Sequence, residues 1–362
     1  MSLVSRIEAY NLRALANVVV EPGPRVSFFY GDNGAGKTSL AEALLFASRG
    51  CGAAPRLREV MGPAASSWRV TAEVRDARDG IARIHRLAFS EGQRVQEING
   101  RRATNVELAR SLPLGELSPP QHAMINAPSG ARLRWINWCA FHVEPTFYPL
   151  WLDFRRCLKQ RNAVLRKNVP GPTLRAWTHR LAAAGERLNT VRWRSVVEWV
   201  PLLREELETL QAGDDWSVEF RPGWDAGRPL DEQLDQDIDA DLRLGTTRHG
   251  PHRADIRIGR NGRAARRHVS RGEEKLGAIA LLLAVSRRIQ VSLGSWPVLV
   301  FDDLSAELSR TARLRVLARL AAIGAQVFVT GHEKPERGSI NDATSVFHVE
   351  HGHVERESDA AC

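Results

Sequence analysis

The stretch Arg25-Val26-Ser27-Phe28-Phe29-Tyr30-Gly31-Asp32-Asn33-Gly34-Ala35-Gly36-Lys37-Thr38-Ser39 decides how this chain folds. Residues 31 to 38 fit the phosphate-binding pattern G-x-x-x-x-G-K-[ST], with its glycines at Gly31 and Gly36. Upstream, Arg25 to Tyr30 reads as a short buried strand. Downstream, Leu40, Ala43, Leu44 and Leu45 fall at helical spacing, so the pattern sits between a strand and a helix, where it has meaning. Glycines let the backbone curl until consecutive N–H groups and the helix N-terminus face an anion. Lys37 is then placed to reach the β- and γ-phosphates, and the Thr38 hydroxyl is left for Mg²⁺. The nucleotide-binding set this predicts is Gly31, Asp32, Asn33, Gly34, Ala35, Gly36, Lys37, Thr38 and Ser39, with ATP or GTP as ligand.

At 362 residues, 43% of them apolar, the chain has room for two domains and a sizeable core. Cys51, Cys139, Cys157 and Cys362 show no CxxC pairing and no companion His at finger spacing, which argues against a disulfide scaffold or a zinc site. The apolar runs read as too short for a membrane span, and the first six residues lack a signal-peptide layout, so a cytoplasmic location with no membrane partner is expected. A formal charge of +9 favours a polyanionic partner beyond the nucleotide, nucleic acid first.

Taken in order, Val4 to Ala9 and Asn17 to Val20 read as paired strands that begin, with Val26 to Phe29, the sheet carrying the loop. Trp68 to Val74, Ile81 to Phe89 and Arg94 to Ile98 alternate as strands, with turns at Asp79-Gly80 and Asn99-Gly100. From Ser129 to Gly213 the pattern becomes helical and rich in Trp and Arg, with breaks expected at Pro145, Pro170 to Pro172 and Pro201. Within it Trp151, Phe154, Leu158 and Leu165 share one stripe, and Arg155, Lys159 and Arg166 form a basic stripe beside it, a solvated helix face or a phosphate-tracking surface. Arg248 to Arg253 turns the chain into a strand Ala254 to Ile258 with a hairpin at Asn261-Gly262. The remainder restores an α/β rhythm: a strand to Val300, a helix capped by Ser309, a strand Ala325 to Thr330 and a hairpin turned at His351-Gly352. The predicted class is α/β, with an ATPase lobe from residues 1–112 and 248–362 and an inserted helical lobe at 113–247.

Pro297-Val298-Leu299-Val300-Phe301-Asp302-Asp303 ends an apolar strand with two carboxylates, the Walker B arrangement of a nucleotide site in a parallel sheet. Asp302 is expected to hold Mg²⁺ with Thr38, and Asp303 to orient or deprotonate the attacking water. Ahead of it, Ser270-Arg271-Gly272-Glu273-Glu274-Lys275-Leu276 opens a strongly apolar helix, where a Ser and a Gly offer donors to an anion.

That position before the Walker B strand resembles the signature motif of ABC-type ATPases, in which one subunit's signature closes on the other subunit's ATP. The likeness implies that Ser270, Arg271 and Gly272 serve a neighbour's γ-phosphate. Leu304 to Ser309 looks like the D-loop of that class, and His332 occupies the place of its switch histidine. Together with Gly250-Pro251-His252-Arg253-Ala254-Asp255, Trp138 to Pro145 and Leu158 to Asn162, these motifs resemble the RecF family nearly end to end. The resemblance implies a Rad50-like ABC ATPase lobe and ATP-dependent homodimerisation on duplex and junction DNA. It also implies slow, DNA-stimulated hydrolysis in DNA repair and the SOS response, with cooperation of RecO and RecR in loading RecA at gaps. Arg13 joins the nucleotide-binding set, and Arg155, Lys159 and Arg166 are expected on DNA, with Arg263, Arg266 and Arg267 as a second basic cluster. Gln121 stands near the Q-loop position. Glu273-Glu274 replaces the family's usual Gln and following residue, while the shorter acid Asp303, as in RecF, fits slow turnover. An ABC transporter subunit would use the same chemistry, but some 230 residues separate Lys37 from Ser270, more than one compact domain needs. An SMC-like structural ATPase would call for a longer, less Pro-broken insertion.

Overall fold

A computed structural model describes residues 3–54, 56–63, 65–75, 79–119, 127–168, 170–213, 215–260, 263–264, 269–336 and 344–357, with only the backbone at 263 and 264. The expected hairpin at Asn261-Gly262, together with Gln121, Arg266, Arg267, Cys362 and the side chain of Arg263, lies outside the described residues. The chain forms two compact units, Met1–His122 with Ala278–Cys362, and Ala123–Gly277.

The first unit holds two sheets. One is antiparallel, in the order β2-β1-β4-β5-β6-β7, built from β1 (Leu3–Leu12), β2 (Leu15–Val20), β4 (Ser67–Arg75), β5 (Ala82–Ser90), β6 (Gln93–Ile98) and β7 (Arg101–Arg102). The other runs β15-β14-β3-β13-β12-β8, from β3 (Val26–Tyr30), β8 (Leu114–Leu117), β12 (Val298–Phe301), β13 (Val327–Gly331), β14 (Ser345–Glu350) and β15 (His353–Arg356). All its neighbours pair in parallel except β15. β1 and β2 were expected in the same sheet as β3; they instead pair with β4. The reason lies in burial: β3 is a continuous apolar run buried on both faces, whereas β1 and β2 alternate buried and exposed residues and suit a sheet with one wet face.

The buried helix α1 (Lys37–Arg49) packs against strands of both sheets. A fully buried Gln326 also stitches them together, its Oε1 accepting from Val4 N at 2.8 Å and its Nε2 donating to Val4 O and Gly23 O, each at 2.9 Å. In the core Phe29 stacks on Phe347 and Phe328, with ring centroids 4.7 and 6.2 Å apart. α2 (Asn105–Ser111) carries the capping box of Thr104 and Glu107. α9 (Arg310–Ala322) is capped by Ser309, whose Oγ accepts from Ala312 N.

The second unit is built on α3 (Ser129–Val143), α4 (Phe147–Arg166) and α5 (Pro172–Thr209), with the short helices α6 (Leu230–Gln236) and α7 (Ile238–Leu244). A small sheet joins β9 (Trp216–Arg221), β10 (Asp255–Arg260) and β11 (Arg263–Ala264). Pro201 does not break its helix as expected: α5 runs through it. The carbonyl that Pro201 leaves without a helical donor belongs to Val197, an exposed residue at 49%. The unit boundaries also differ from those expected. β8 pairs with β12, which carries residues 114–117 into the first unit. The β9–β10 ladder holds residues 255–260 in the second. α8 (Arg271–Leu293) contains the boundary at Gly277. It is also one helix long and apolar enough to cross a membrane, contrary to the reading of the apolar runs, but 67% of its most apolar window is buried inside the protein, as in a core helix.

The second unit contains a fully buried ion pair. Arg161 Nη1 lies 2.7 Å from Asp241 Oδ2, and the same guanidinium donates to Thr178 Oγ1 and Thr247 Oγ1. Removing one charge of such a pair leaves the other uncompensated. Asp241→Asn is expected to destabilise this unit by about 3–5 kcal/mol, read as a lower urea midpoint by tryptophan fluorescence, and an unmoved midpoint refutes it.

Candidate functional site

The turn from β3 into α1 is possible only with glycine. Gly31 has φ +153°, and a Cβ there would lie 2.0 Å from Val349 O. Gly36 has φ +118° with the Leu15 side chain 3.0 Å from its missing Cβ. The loop is anchored from behind by the β14–β15 hairpin, where Gly352 N donates to Ala35 O at 2.8 Å. Lys37 is buried at the head of α1, and its Nζ donates to Gly31 O and Asp32 O, both at 2.7 Å. Burial pushes this ammonium below the usual lysine range, against the pull of the Asp303, Asp302 and Asp32 carboxylates.

β12 and β13 deliver the acids. Asp302 follows the last residue of β12 and is 2% exposed. Its Oδ2 accepts from Thr38 Oγ1 at 3.0 Å and its Oδ1 from Thr330 Oγ1 at 2.6 Å. Burial pushes the Asp302 carboxyl above the usual range, the hydrogen bonds from Thr330 and Thr38 draw it back, and the nearby Asp303 and Glu116 carboxylates add to the upward push. Thr330 Oγ1 also accepts from Asp303 N at 2.8 Å. Asp303 itself adopts φ +55°, unusual for a residue with a side chain, and its Oδ1 lies 3.4 Å from His332 Nε2. The stretch expected to be a D-loop starts here too, Leu304 N donating to Thr330 O at 3.0 Å.

These groups converge on one cleft of about 640 Å³ within the first unit, lined by Arg13, Lys37, Thr38, Asp302, Asp303 and His332 among others. Asn33, Gly34, Gly36 and Ser39 line it as well, while Gly31, Asp32 and Ala35 line a smaller pocket behind the loop. Arg13, whose backbone has φ +54°, is held at the cleft by a fork onto Glu42, with Nε–Oε2 at 2.7 Å and Nη2–Oε1 at 3.0 Å. A hydroxyl and a buried carboxylate side by side are hard oxygen donors, the set that Mg²⁺ takes alongside substrate phosphates. A cation here would also offset the unfavourable burial of the Asp302 charge. With a cationic Lys37 and loop N–H groups suited to phosphate and a second carboxylate suited to water, the cleft brings together groups that phosphoryl transfer uses.

Other expected residues belong to the second unit. Ser270, Arg271 and Gly272 open α8, and Ser270 and Arg271 are exposed. Arg155, Lys159 and Arg166 are all exposed on α4, with the Arg155 guanidinium 4.6 Å from the Trp151 ring centroid. The reading of the sequence missed Thr330 and Glu42. Thr330 ends an apolar strand beside the Walker B strand, the one signal that could have singled it out, whereas nothing local marks Glu42 among the helix's surface residues.

Comparison with known proteins agrees with this geometry. The family model described as RecF/RecN/SMC N terminal domain matches residues 3–355. A Xanthomonas euvesicatoria protein named DNA replication and repair protein RecF is 34% identical, covering 99% of both chains. The Pseudomonas aeruginosa PAO1 protein of the same name is 33% identical over 98% of this chain and 97% of its own. Among solved structures, the recombination mediator protein RecF with ATP superposes with TM-score 0.85 at 23% identity, covering 99% of this chain and 98% of that one. An Smc head domain bound to the C-winged helix domain of ScpA gives 0.61 at 17% identity, covering 99% and 98%. The shared architecture is therefore that of an SMC-like ATPase head.

Lys37→Ala removes the buried cation facing the loop. ATP affinity, measured by calorimetry, is expected to fall by about 1.5–3 kcal/mol, the worth of a charge-assisted hydrogen bond; affinity equal to the unchanged chain would remove this cleft from nucleotide binding.

Proposed function

This chain belongs to the RecF family, and we propose that it is an ATP-dependent DNA-binding clamp of recombinational repair, working in the cytoplasm. Two copies close on duplex or junction DNA when ATP is bound, help RecO and RecR to load RecA at single-strand gaps, and reopen on slow hydrolysis. The observation that carries the reading is the hydrogen-bonded pair Thr38–Asp302 beside Lys37 and Asp303 in one cleft. It is supported by relatives named DNA replication and repair protein RecF over nearly the whole chain.

In this reading the loop N–H groups and Lys37 bind the phosphates, and Thr38 with Asp302 would hold Mg²⁺, which supplies charge neutralisation at the β- and γ-oxygens. Asp303 accepts a proton from the attacking water, and His332, 3.4 Å away, steadies that carboxylate. Ser270, Arg271 and Gly272 at the head of α8 serve the nucleotide of the second copy. DNA is held through phosphates by exposed basic residues such as Arg155, Lys159 and Arg166, in keeping with the charge of +9.

Asp303→Asn can still hydrogen-bond water but cannot take its proton. It is expected to bind ATP normally, lose about two or more orders of magnitude in hydrolysis, and sediment as a dimer with ATP and Mg²⁺ but as a monomer with ADP. Unaltered turnover identifies a different base. Reversing Arg155, Lys159 and Arg166 together should lower the slope of log affinity for DNA against log salt by about 2–3, near 0.9 per phosphate contact. An identical slope moves the DNA surface elsewhere.

A further inference from the structure

The residue at the fourth place of the signature is an acid, and it is engaged from two sides. Ser270 N and Ser270 Oγ both donate to Glu273 Oε2 at 2.9 Å, and Glu273 N donates back to Ser270 Oγ at 3.3 Å. This is a capping box: it satisfies the first turn of α8 and sets the rotamer of the Ser270 hydroxyl. A carboxylate at that place is nevertheless a liability, because it puts a negative charge against the hydroxyl meant for a phosphate.

The other oxygen of Glu273 is taken by Arg260. Arg260 Nη1 lies 2.6 Å from Glu273 Oε1, and this guanidinium holds the carboxyl below the usual glutamate range. Arg260 is built into its place. It ends β10 opposite Trp216 of β9, its guanidinium lies 5.6 Å from the Trp216 ring centroid, and its side chain is 15% exposed. Gly213, at φ +91°, leaves the space it occupies: a Cβ there would meet Arg260 Nη2 at 2.1 Å. Gly213, Trp216, Arg260, Glu273 and Ser270 thus form one chain of contacts inside the second unit.

We propose that Arg260 is a positioning residue for the trans signature: it cancels the charge of Glu273 and holds its other oxygen, so that the Ser270 hydroxyl can turn from Glu273 Oε2 and donate to the nucleotide phosphates of the second copy. This rests on the trans role of Ser270 given above. It concerns a residue outside the motif, and it accounts for how a signature with Glu in place of Gln can face an anion. Without Arg260 the carboxylate repels the incoming phosphates; without either charge the fourth place is again neutral, and the amide oxygen introduced by Glu273→Gln still accepts from Ser270 N.

The test is dimerisation of the full chain with adenylyl imidodiphosphate and Mg²⁺, by sedimentation, beside nucleotide affinity measured on dilute monomer. Arg260→Met is expected to weaken the dimer about tenfold or more at unchanged nucleotide affinity, as like-charge juxtaposition across an interface does. The loss should shrink as salt rises, since exposed charges are screened. Adding Glu273→Gln to Arg260→Met should restore the dimer to within about threefold of Glu273→Gln alone. A merely structural Arg260 would not be rescued by that second change. Arg260→Gln, which keeps a polar head of similar reach but drops the charge, should copy the defect and its rescue, and serves if Arg260→Met fails to fold. Wild-type dimerisation by Arg260→Met, or a defect that Glu273→Gln leaves in place, overturns the proposal. If the unchanged chain stays monomeric, the trans reading itself fails, and Ser270→Arg then behaves like the unchanged chain.

Discussion

The hydrogen bonds that Asp302 accepts from Thr38 and Thr330 tie together three elements far apart in sequence: the head of α1, the end of β12 and the end of β13. The Thr330 contact is short and buried, so a change there leaves a buried polar group without its partner, whereas Thr38 meets Asp302 from the exposed side of the cleft. The pairing has a further effect on Asp303. Its backbone N–H is held by the same Thr330 hydroxyl, which fixes the left-handed turn that swings the second carboxylate toward His332. The spacing of the Asp302 and Asp303 carboxylates thus depends on one threonine on a neighbouring strand.

Much of this was legible in the sequence, and the reason is locality. The loop glycines, Lys37 and Thr38 declare themselves because the pattern that marks them is eight consecutive residues, and the acids declare themselves because an apolar run must end where Asp302 begins. What was not legible depends on partners distant in the chain. β8, Leu-Gly-Glu-Leu, is too short and too glycine-weakened to read as a strand, yet β12 supplies its ladder. Arg161 falls on the stripe of Phe154 and Leu165, where a charge reads as surface; only Asp241, Thr178 and Thr247 make its burial tolerable. The assignment of β1 and β2 to the wrong sheet has the same origin, since strand pairing is decided by which face finds cover.

The second unit relies more heavily on buried charge than the first. Besides Arg161, Arg192 is 2% exposed, pushed down to about 10 by burial, and donates to Asn137 Oδ1 and Pro251 O. Arg132 forks onto Asp255 at 2.8 and 2.7 Å. The Arg192 and Arg132 bonds converge on the turn at Gly250–Asp255 and pin it to α5 and α3. Arginine suits that work because its planar fork keeps several donors in fixed directions. The conspicuous Gly-Pro-His-Arg stretch is, by these contacts, a structural junction of the helical unit.

The order of strands in the parallel sheet also governs when the site can come into being during synthesis. All six strands of the antiparallel sheet lie between Leu3 and Arg102, so that layer pairs with itself soon after it emerges. β3 has no such neighbours at hand. Its partners are β13 and β14, and Tyr30 precedes Val327 by 297 residues, since 327 less 30 is 297. At ribosomal rates of about 5–20 residues per second, β3 waits about 15–60 s with both edges unpaired. Throughout that interval the loop glycines have no Val349 carbonyl to turn against and no Gly352 to anchor Ala35. A nascent chain stalled anywhere before the β14–β15 hairpin therefore carries the whole glycine-rich loop without the contacts that shape it.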